Sequence, residues 1–283
     1  MDTELARTFL AVVATGSFVG ASQRLHVTQS TVSVRIQRLE QALGAELFVR
    51  SKGGATVLTP AGRQFERHAT TLTRTVEQAR RDMGTVRGFD AALTVGGRIG
   101  LWEDLLLQWL PVYTRLAPRV AVRALVGFED DLMQGLIEGR TDIGVMYTPQ
   151  ARPGLTIELL MEERLVMVST RAAPAREPDD DYVYVDWGTE FYTQHLRAFP
   201  NFAGGALSVN VGRLGLDKLR SAGGSGYFPT RMIHDDERAG RLTRVPDAPE
   251  FRLPAYLCFP SRASSGPLEL ALQTIRQVAA EAA

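Results

Sequence analysis

Gln29, Ser30, Ser33, Val34, Gln37 and Gln41 share one face of a segment whose other face is Val32, Ile36, Leu39 and Leu43. Apolar residues at steps of four, three and four have the spacing of a helix buried on one side. The outward side then carries amides and hydroxyls, which hydrogen-bond and do no covalent chemistry. Glutamine can pair bidentately with adenine, and serine is short enough to let a helix approach base edges. Gln29 stands at the N-terminal tip, and Arg35 and Arg38 flank the apolar row. A solvated face without a partner accounts for this helix equally well, so its neighbours must decide.

Leu5, Phe9, Val12 and Val13 form the apolar stripe of a first helix that ends at Gly16-Ser17. A second runs from about Phe18 to Leu25, with Phe18, Ala21 and Leu25 inward. After the turn His26-Val27-Thr28, Thr28 is a good N-cap for a third helix from Gln29 to about Leu43, closed by Gly44. Two helices joined by a short turn, the second small and polar outside, fit a major groove. Leu47–Arg50 and Ala55–Leu58 follow as two short strands around Ser51-Lys52-Gly53-Gly54, a tight hairpin. With Arg50 and Lys52 beside its loop, such a wing can lie along phosphates. The candidate nucleic-acid surface is therefore Thr28, Gln29, Ser30, Thr31, Ser33, Val34, Arg35, Gln37, Arg38, Arg50 and Lys52. Thr59-Pro60 starts a long helix as N-cap and first residue. Its stripe of Phe65, Leu72, Val76, Ala79 and Met83 runs to about Arg87 and needs a partner. Two-fold sites need two recognition helices at fixed spacing, which favours a dimerising helix over packing against its own chain.

The bulk properties agree. The 283 residues suit two or three domains, and the formal net charge is zero. Residues 1–88 nevertheless hold 12 Lys/Arg against 7 Asp/Glu, leaving 20 against 25 for the rest. A basic head on an acidic body suits a phosphate-binding module joined to another unit. No apolar run reaches the roughly 20 residues of a membrane span. Met1-Asp2-Thr3-Glu4 lacks the basic flank of a signal peptide, so the cytoplasm, on the nucleoid, is the expected location. Cys258 is the only cysteine and sits in an apolar Tyr256-Leu257-Cys258-Phe259 run, which reads as a packed strand thiol. Four scattered histidines, without a nucleophile–base ordering or metal-ligand spacing, argue against an enzyme, a metal site or a cofactor.

After Gly88 the pattern alternates strand and helix: strands at 93–96, 120–126, 143–146, 165–169 and 182–185, helices at 101–116, 128–139, 190–197, 214–222 and 267–280. This predicts α/β units with a mainly parallel sheet.

Leu5 through Gly62 resembles the LysR-type transcriptional regulators. The resemblance rests on Phe9, Gly16-Ser17-Phe18, Ala21, Leu25, Thr28-Gln29-Ser30, Val32-Ser33, Ile36, Leu39-Glu40, Leu43-Gly44, Leu47-Phe48, Arg50 and Leu58-Thr59-Pro60-Ala61-Gly62. It implies an α/β protein with a winged helix-turn-helix at 1–59, a linker helix at 60–88 and an effector domain at 89–283. That domain would resemble a periplasmic binding protein, with lobes at 91–161 plus 266–283 and at 162–265. The implied partners are double-stranded promoter DNA, a second copy through the linker helix, a dimer of dimers, and a small effector in the cleft. RNA polymerase is a further candidate partner; no membrane is. Ligands of such sheets bind beyond the C-terminal strand ends, which selects Arg98, Ile99, Gly100, Gly127, Phe128, Tyr147 and Thr148. Family members commonly have a small hydroxyl residue where this chain has Arg98. Arg98 either clamps an anionic effector, or fills the cleft by pairing with an acid such as Asp186, or is exposed. Val185–Phe191 with His195 is similar to a subgroup of repressors or dual regulators; Trp187 there walls the cleft or packs in the core. Gly224, Gly226, Phe228 and Pro229 fall where the family has a cleft-lining segment, and a tight turn into a strand is the plainer account. An effector-independent, architectural DNA-binding repressor is the alternative reading.

Overall fold

The structure is a computed structural model that describes residues 2–50, 56–83, 88–261 and 266–282. Helices α1 (Thr3–Thr15), α2 (Phe18–Leu25) and α3 (Gln29–Leu43) lead into a hairpin of β1 (Phe48–Arg50) and β2 (Thr56–Leu58). Each helix start is capped by its own sequence: Asp2 accepts from the Glu4 N–H, Ser17 from Gly20 and Thr28 from Thr31. Gly16 and Gly44 end α1 and α3 in the left-handed region, which glycine enters without steric cost. Phe9, Val12, Ala21, Val32, Ile36, Leu39 and Leu47 close the core, with the Phe9 ring centroid 5.1 Å from those of Phe48 and Phe65. Leu43, expected inside, is 40% exposed. It keeps the helical phase of the row, but it is the last residue of α3, directly before the Gly44 cap, and only Val32, Ile36 and Leu39 of the row are buried.

Helix α4 (Pro60–Met83) starts where Thr59 Oγ1 accepts from the Gly62 N–H at 2.9 Å. A Cβ on Gly62 would lie 2.2 Å from the Leu47 carbonyl, so only glycine lets α4 leave the wing this closely. Phe65 and Ala69 pack into the N-terminal core, and Leu72 lies against it. Ala79 is exposed, and Met83 is 82% exposed. The first half of the stripe is covered by its own chain and the last turns are bare.

The remaining chain runs β3 (Ala91–Gly97), α5 (Ile99–Leu101), a π turn (Trp102–Leu106), α6 (Leu107–Leu116), β4 (Val120–Val126), α7 (Glu129–Glu138) and β5 (Ile143–Met146). Then come β6 (Leu155–Ser169), β7 (Tyr182–Val185), α8 (Thr189–Ala198), β8 (Leu207–Val209), α9 (Gly212–Ala222) and β9 (Ser225–Pro229). The chain closes with α10 (Thr230–Arg238), β10 (Thr243–Arg244), β11 (Phe251–Pro260) and α11 (Gly266–Ala282). The sheet order is β4-β3-β5-β11-β6-β9-β7-β8, with β10 beside β6. Parallel pairing holds β3 to β4 and β5, and β7 to β8 and β9. Between these two groups, β6 and β11 run antiparallel from Phe251↔Leu165 to Pro260↔Leu155. The expected mainly parallel sheet is therefore mixed, because two long strands cross from one lobe to the other and back. Trp109 Nε1 donates to Thr274 Oγ1 at 2.8 Å and Tyr113 to the Pro267 carbonyl, tying α11 to the first lobe. Helix α4 meets that lobe at the end of α7, where Ile137 joins the N-terminal core.

Candidate nucleic-acid interface and inter-lobe site

On α3, Gln29, Ser30, Val34, Gln37 and Arg38 are exposed, with Thr28 just before them. Thr31 and Ser33 are half-buried. The Thr28 hydroxyl lies 2.8 Å from both the Ser30 and Thr31 hydroxyls, so the cap and the helix tip form one polar knot. Gln29, Ser33 and Gln37 line a groove of about 230 Å³ between α3 and the wing, floored by Phe18, Ile36 and Phe48. Glu40 shapes that groove by accepting from the Leu47 and Phe48 N–H groups at 2.7 and 3.4 Å. Arg35 departs from its expected place. Its guanidinium turns back onto α1, 3.3 Å from Glu4 and 3.4 Å from the Thr8 hydroxyl. Its position next to the buried Ile36 points it sideways along the domain, off the outer face. Lys52 and the side chain of Arg50 lie outside the described residues.

The strand-end residues do not form one open pocket. Arg98, only 6% exposed, stacks 4.6 Å from the Phe128 ring centroid. Its acid is Glu129, at 3.5 Å, and not Asp186. Asp186 is exposed and accepts from the Gly188 N–H, at the start of α8. Arg98 Nε is buried without a hydrogen-bond partner among the described residues. Trp187 is core: it is 3% exposed, donates to the Tyr227 carbonyl at 2.9 Å and meets Phe228 edge-on. It also bridges the lobes. A Cβ on Gly100 would lie 3.1 Å from its ring, and one on Gly212 would lie 2.3 Å away. Gly100 and Gly212 are thus the two sides of a slot for one indole. Ile99 is half-buried beside it, and Gly127 lies half-buried at the end of β4. Gly224 falls elsewhere. It opens β9 against Asp181 and Thr170, whereas Phe228 lies near the other end of that strand. Four residues of strand separate the two by about 13 Å.

Beside the indole slot, Gly100 and Tyr147 of the expected site join a cluster whose other members, Asp104, Glu163 and Arg231, the sequence did not single out. Arg231, on α10, donates to Glu163 at 2.7 Å, to Asp104 at 3.0 Å and to the Gly100 carbonyl at 2.6 Å. Tyr147 donates to the other Glu163 oxygen at 2.9 Å. Glu163 is 2% exposed, and burial pushes its carboxyl above the usual range against the pull of Arg231 and Tyr147. One guanidinium therefore joins the second lobe, the crossing strand β6 and the helix start of the first lobe. Thr148 stays exposed on a separate groove of about 740 Å³, shared with Tyr147, Glu162, Glu190, Arg252 and Tyr256. Among the described residues no group of three metal-binding side chains occurs, and no helix is long and apolar enough to cross a membrane. Cys258 is fully buried, its thiol pushed up to about 12 by burial, which removes it as a nucleophile.

Residues 3–63 match the family described as bacterial regulatory helix-turn-helix protein, lysR family, and residues 87–280 match the LysR substrate binding domain. The chain belongs to the LysR family. It is a DNA-binding transcriptional regulator with an effector-binding domain, not an enzyme. It is similar to the HTH-type transcriptional regulator HdfR of Yersinia pestis (strain Pestoides F), with 29% identity over 268 residues, 90% of this chain and 89% of that one. Its fold is similar to that of full-length LysG from Corynebacterium glutamicum with bound effector Arg, at TM-score 0.60, 19% identity and 99% coverage of both chains. It is also similar to full-length CbnR complexed with its target DNA, at TM-score 0.53 and 19% identity, covering 98% of this chain and all of that one.

Proposed function

We propose that this LysR-family regulator binds promoter DNA as a homodimer, setting α3 of each subunit into a major groove. The observation that carries this reading is the outer face of α3: Gln29, Ser30, Val34, Gln37 and Arg38 are all exposed around a polar groove. Gln29 reads a base edge, Ser30 and Ser33 let the helix approach, and Arg38 with Arg50 and Lys52 hold phosphates. The bare last turns of α4, ending at Met83, are the proposed dimer contact, and pairs of dimers follow where operators carry more half-sites. The regulator works in the cytoplasm on nucleoid DNA and acts on RNA polymerase. The test is footprinting of the purified protein on fragmented source DNA. Paired half-sites spaced by whole helical turns are expected, and binding without a shared motif would overturn the reading. Gln29→Ala is expected to weaken specific binding by about 1–3 kcal/mol while sparing non-specific binding. Equal loss on random DNA would remove Gln29 from base reading.

Regulation rests on the inter-lobe site. A small anion is the effector class that suits Arg98, whose Nε is buried without an acceptor among the described residues and whose Glu129 partner is at 3.5 Å. An effector-independent repressor is favoured by a different observation: Trp187 and Arg231 already bridge the lobes from inside the chain.

A further inference from the structure

Val34 is the residue of the α3 outer face that hydrogen bonding does not explain. It is 46% exposed, and the apolar cluster of the N-terminal half does not take it in. Its neighbours on the same helix face are Ser30 one turn before, and Gln37 and Arg38 one turn after, all polar and exposed. A β-branched residue is a poor choice for an exposed helix position, because its rotamers are restricted and its methyls gain nothing in water. The methyls gain only if the face is dehydrated against another apolar group. In the major groove that group is specific, since thymine alone among the four bases presents a C5 methyl there.

We infer that Val34 reads a thymine methyl in each half-site, and so sets a base preference that the amides and hydroxyls around it do not. The inference rests on the reading that α3 enters the major groove. Val34 sits on the crest of the face, with Ser30 short enough to let it close on the base step and Arg38 placed one turn further along to hold the backbone. Burying one methyl against another supports a preference of about fourfold for thymine over the same base without its methyl.

Full-length protein would first select its site from random-sequence duplexes, and each thymine of that site would then be replaced in turn by deoxyuridine. In the wild type, one thymine per half-site is expected to weaken binding about fourfold on losing its methyl. Val34→Ala, which improves helix propensity, is expected to bind the thymine site as the wild type binds the uracil site, with no discrimination between them. Discrimination that survives in Val34→Ala would overturn the inference. A wild type insensitive at every thymine, while Gln29→Ala still loses specific binding, would overturn Val34 alone. If Gln29→Ala also leaves specific binding intact, the placement of α3 in the groove fails with it.

Discussion

Replacing Arg231 by methionine is expected to cost the regulatory half about 3–5 kcal/mol, because a carboxylate is then left buried without its counter-charge. Glu163 is 2% exposed, and Tyr147 would be its one remaining hydrogen-bond donor among the described residues. The same change frees the Gly100 carbonyl and Asp104 from α10, so the two lobes lose a tie as well as a charge. Trp187, wedged between Gly100 and Gly212, should report this as greater quenching by acrylamide. Pairing Arg231→Met with Glu163→Gln is expected to recover most of the loss. A neutral amide still accepts from Tyr147, and taking a neutral group out of water costs far less than taking out an ion. Urea unfolding of the three proteins followed by tryptophan fluorescence decides it. If the double variant is as unstable as Arg231→Met, the loss comes from packing of the arginine stem and not from an orphaned charge. The comparison also bears on regulation, since a latch built from the chain itself competes with any effector that must bridge the same lobes.

Sequence legibility followed how local the signals are. Thr28, Gly44 and Thr59-Pro60 each fix a helix end through bonds to atoms within a few residues, and the N-terminal elements lie where those residues put them. Leu43 failed because periodicity reports phase but not whether anything lies opposite. In the regulatory half, Leu155–Arg164 gave no strand signal. Burial does alternate from Met161 to Leu165, but the inward position 163 is a glutamate between Glu162 and Arg164, so the apolar alternation that marks a strand is missing. Helix α10 was missed for its charge: Thr230–Arg238 holds Arg231, Asp235, Asp236, Glu237 and Arg238, the composition of a solvated loop. Asp236 is fully buried all the same, held by Arg220 and Arg241 at 2.6 Å each. Met232, Ile233 and Asp236 at one-turn spacing were the available clue, and they would have drawn attention to Arg231 beside them. Arg98 shows the limit of pairing by type. Residue types leave Arg98 a ligand, an acid such as Asp186 or solvent; Asp186 lies just before α8, while Glu129, which follows the stacked Phe128 directly, is the acid at 3.5 Å.

The stability of the second lobe is expected to fall by about 3 kcal/mol as the pH drops from 6.5 to 4, through His195. The imidazole is 1% exposed, inside a ring of aromatic side chains whose nearest member, Phe202, has its centroid 4.8 Å away. Tyr182, Tyr184, Phe191, Phe199, Tyr227 and Phe251 complete the ring, and the Tyr182 hydroxyl is 2.9 Å from Nε2. Burial lowers the His195 pKa to about 4. The last turn of α8 favours a cation by at most about 2 kcal/mol, which offsets only part of the burial cost. The unfolded chain takes up this proton near pH 6.5 and the folded chain only near 4. The stabilisation is therefore complete above 6.5 and is lost on the way down to 4. Asp236, Asp217 and Glu250 are held below their ordinary values by arginines, so their losses begin only where free carboxylates titrate, at lower pH. Glu163, Glu103 and Glu66 are shifted upward and act in the opposite sense above that point. The measurable quantity is accordingly the difference between wild type and His195→Gln, which keeps a partner for Tyr182 and cannot titrate. That difference should narrow steadily from pH 6.5 to 4 as the wild type loses its advantage. Unfolding curves that shift in parallel across this range would mean that the folded protein admits the proton as readily as the unfolded chain, and that the aromatic ring does not keep His195 neutral.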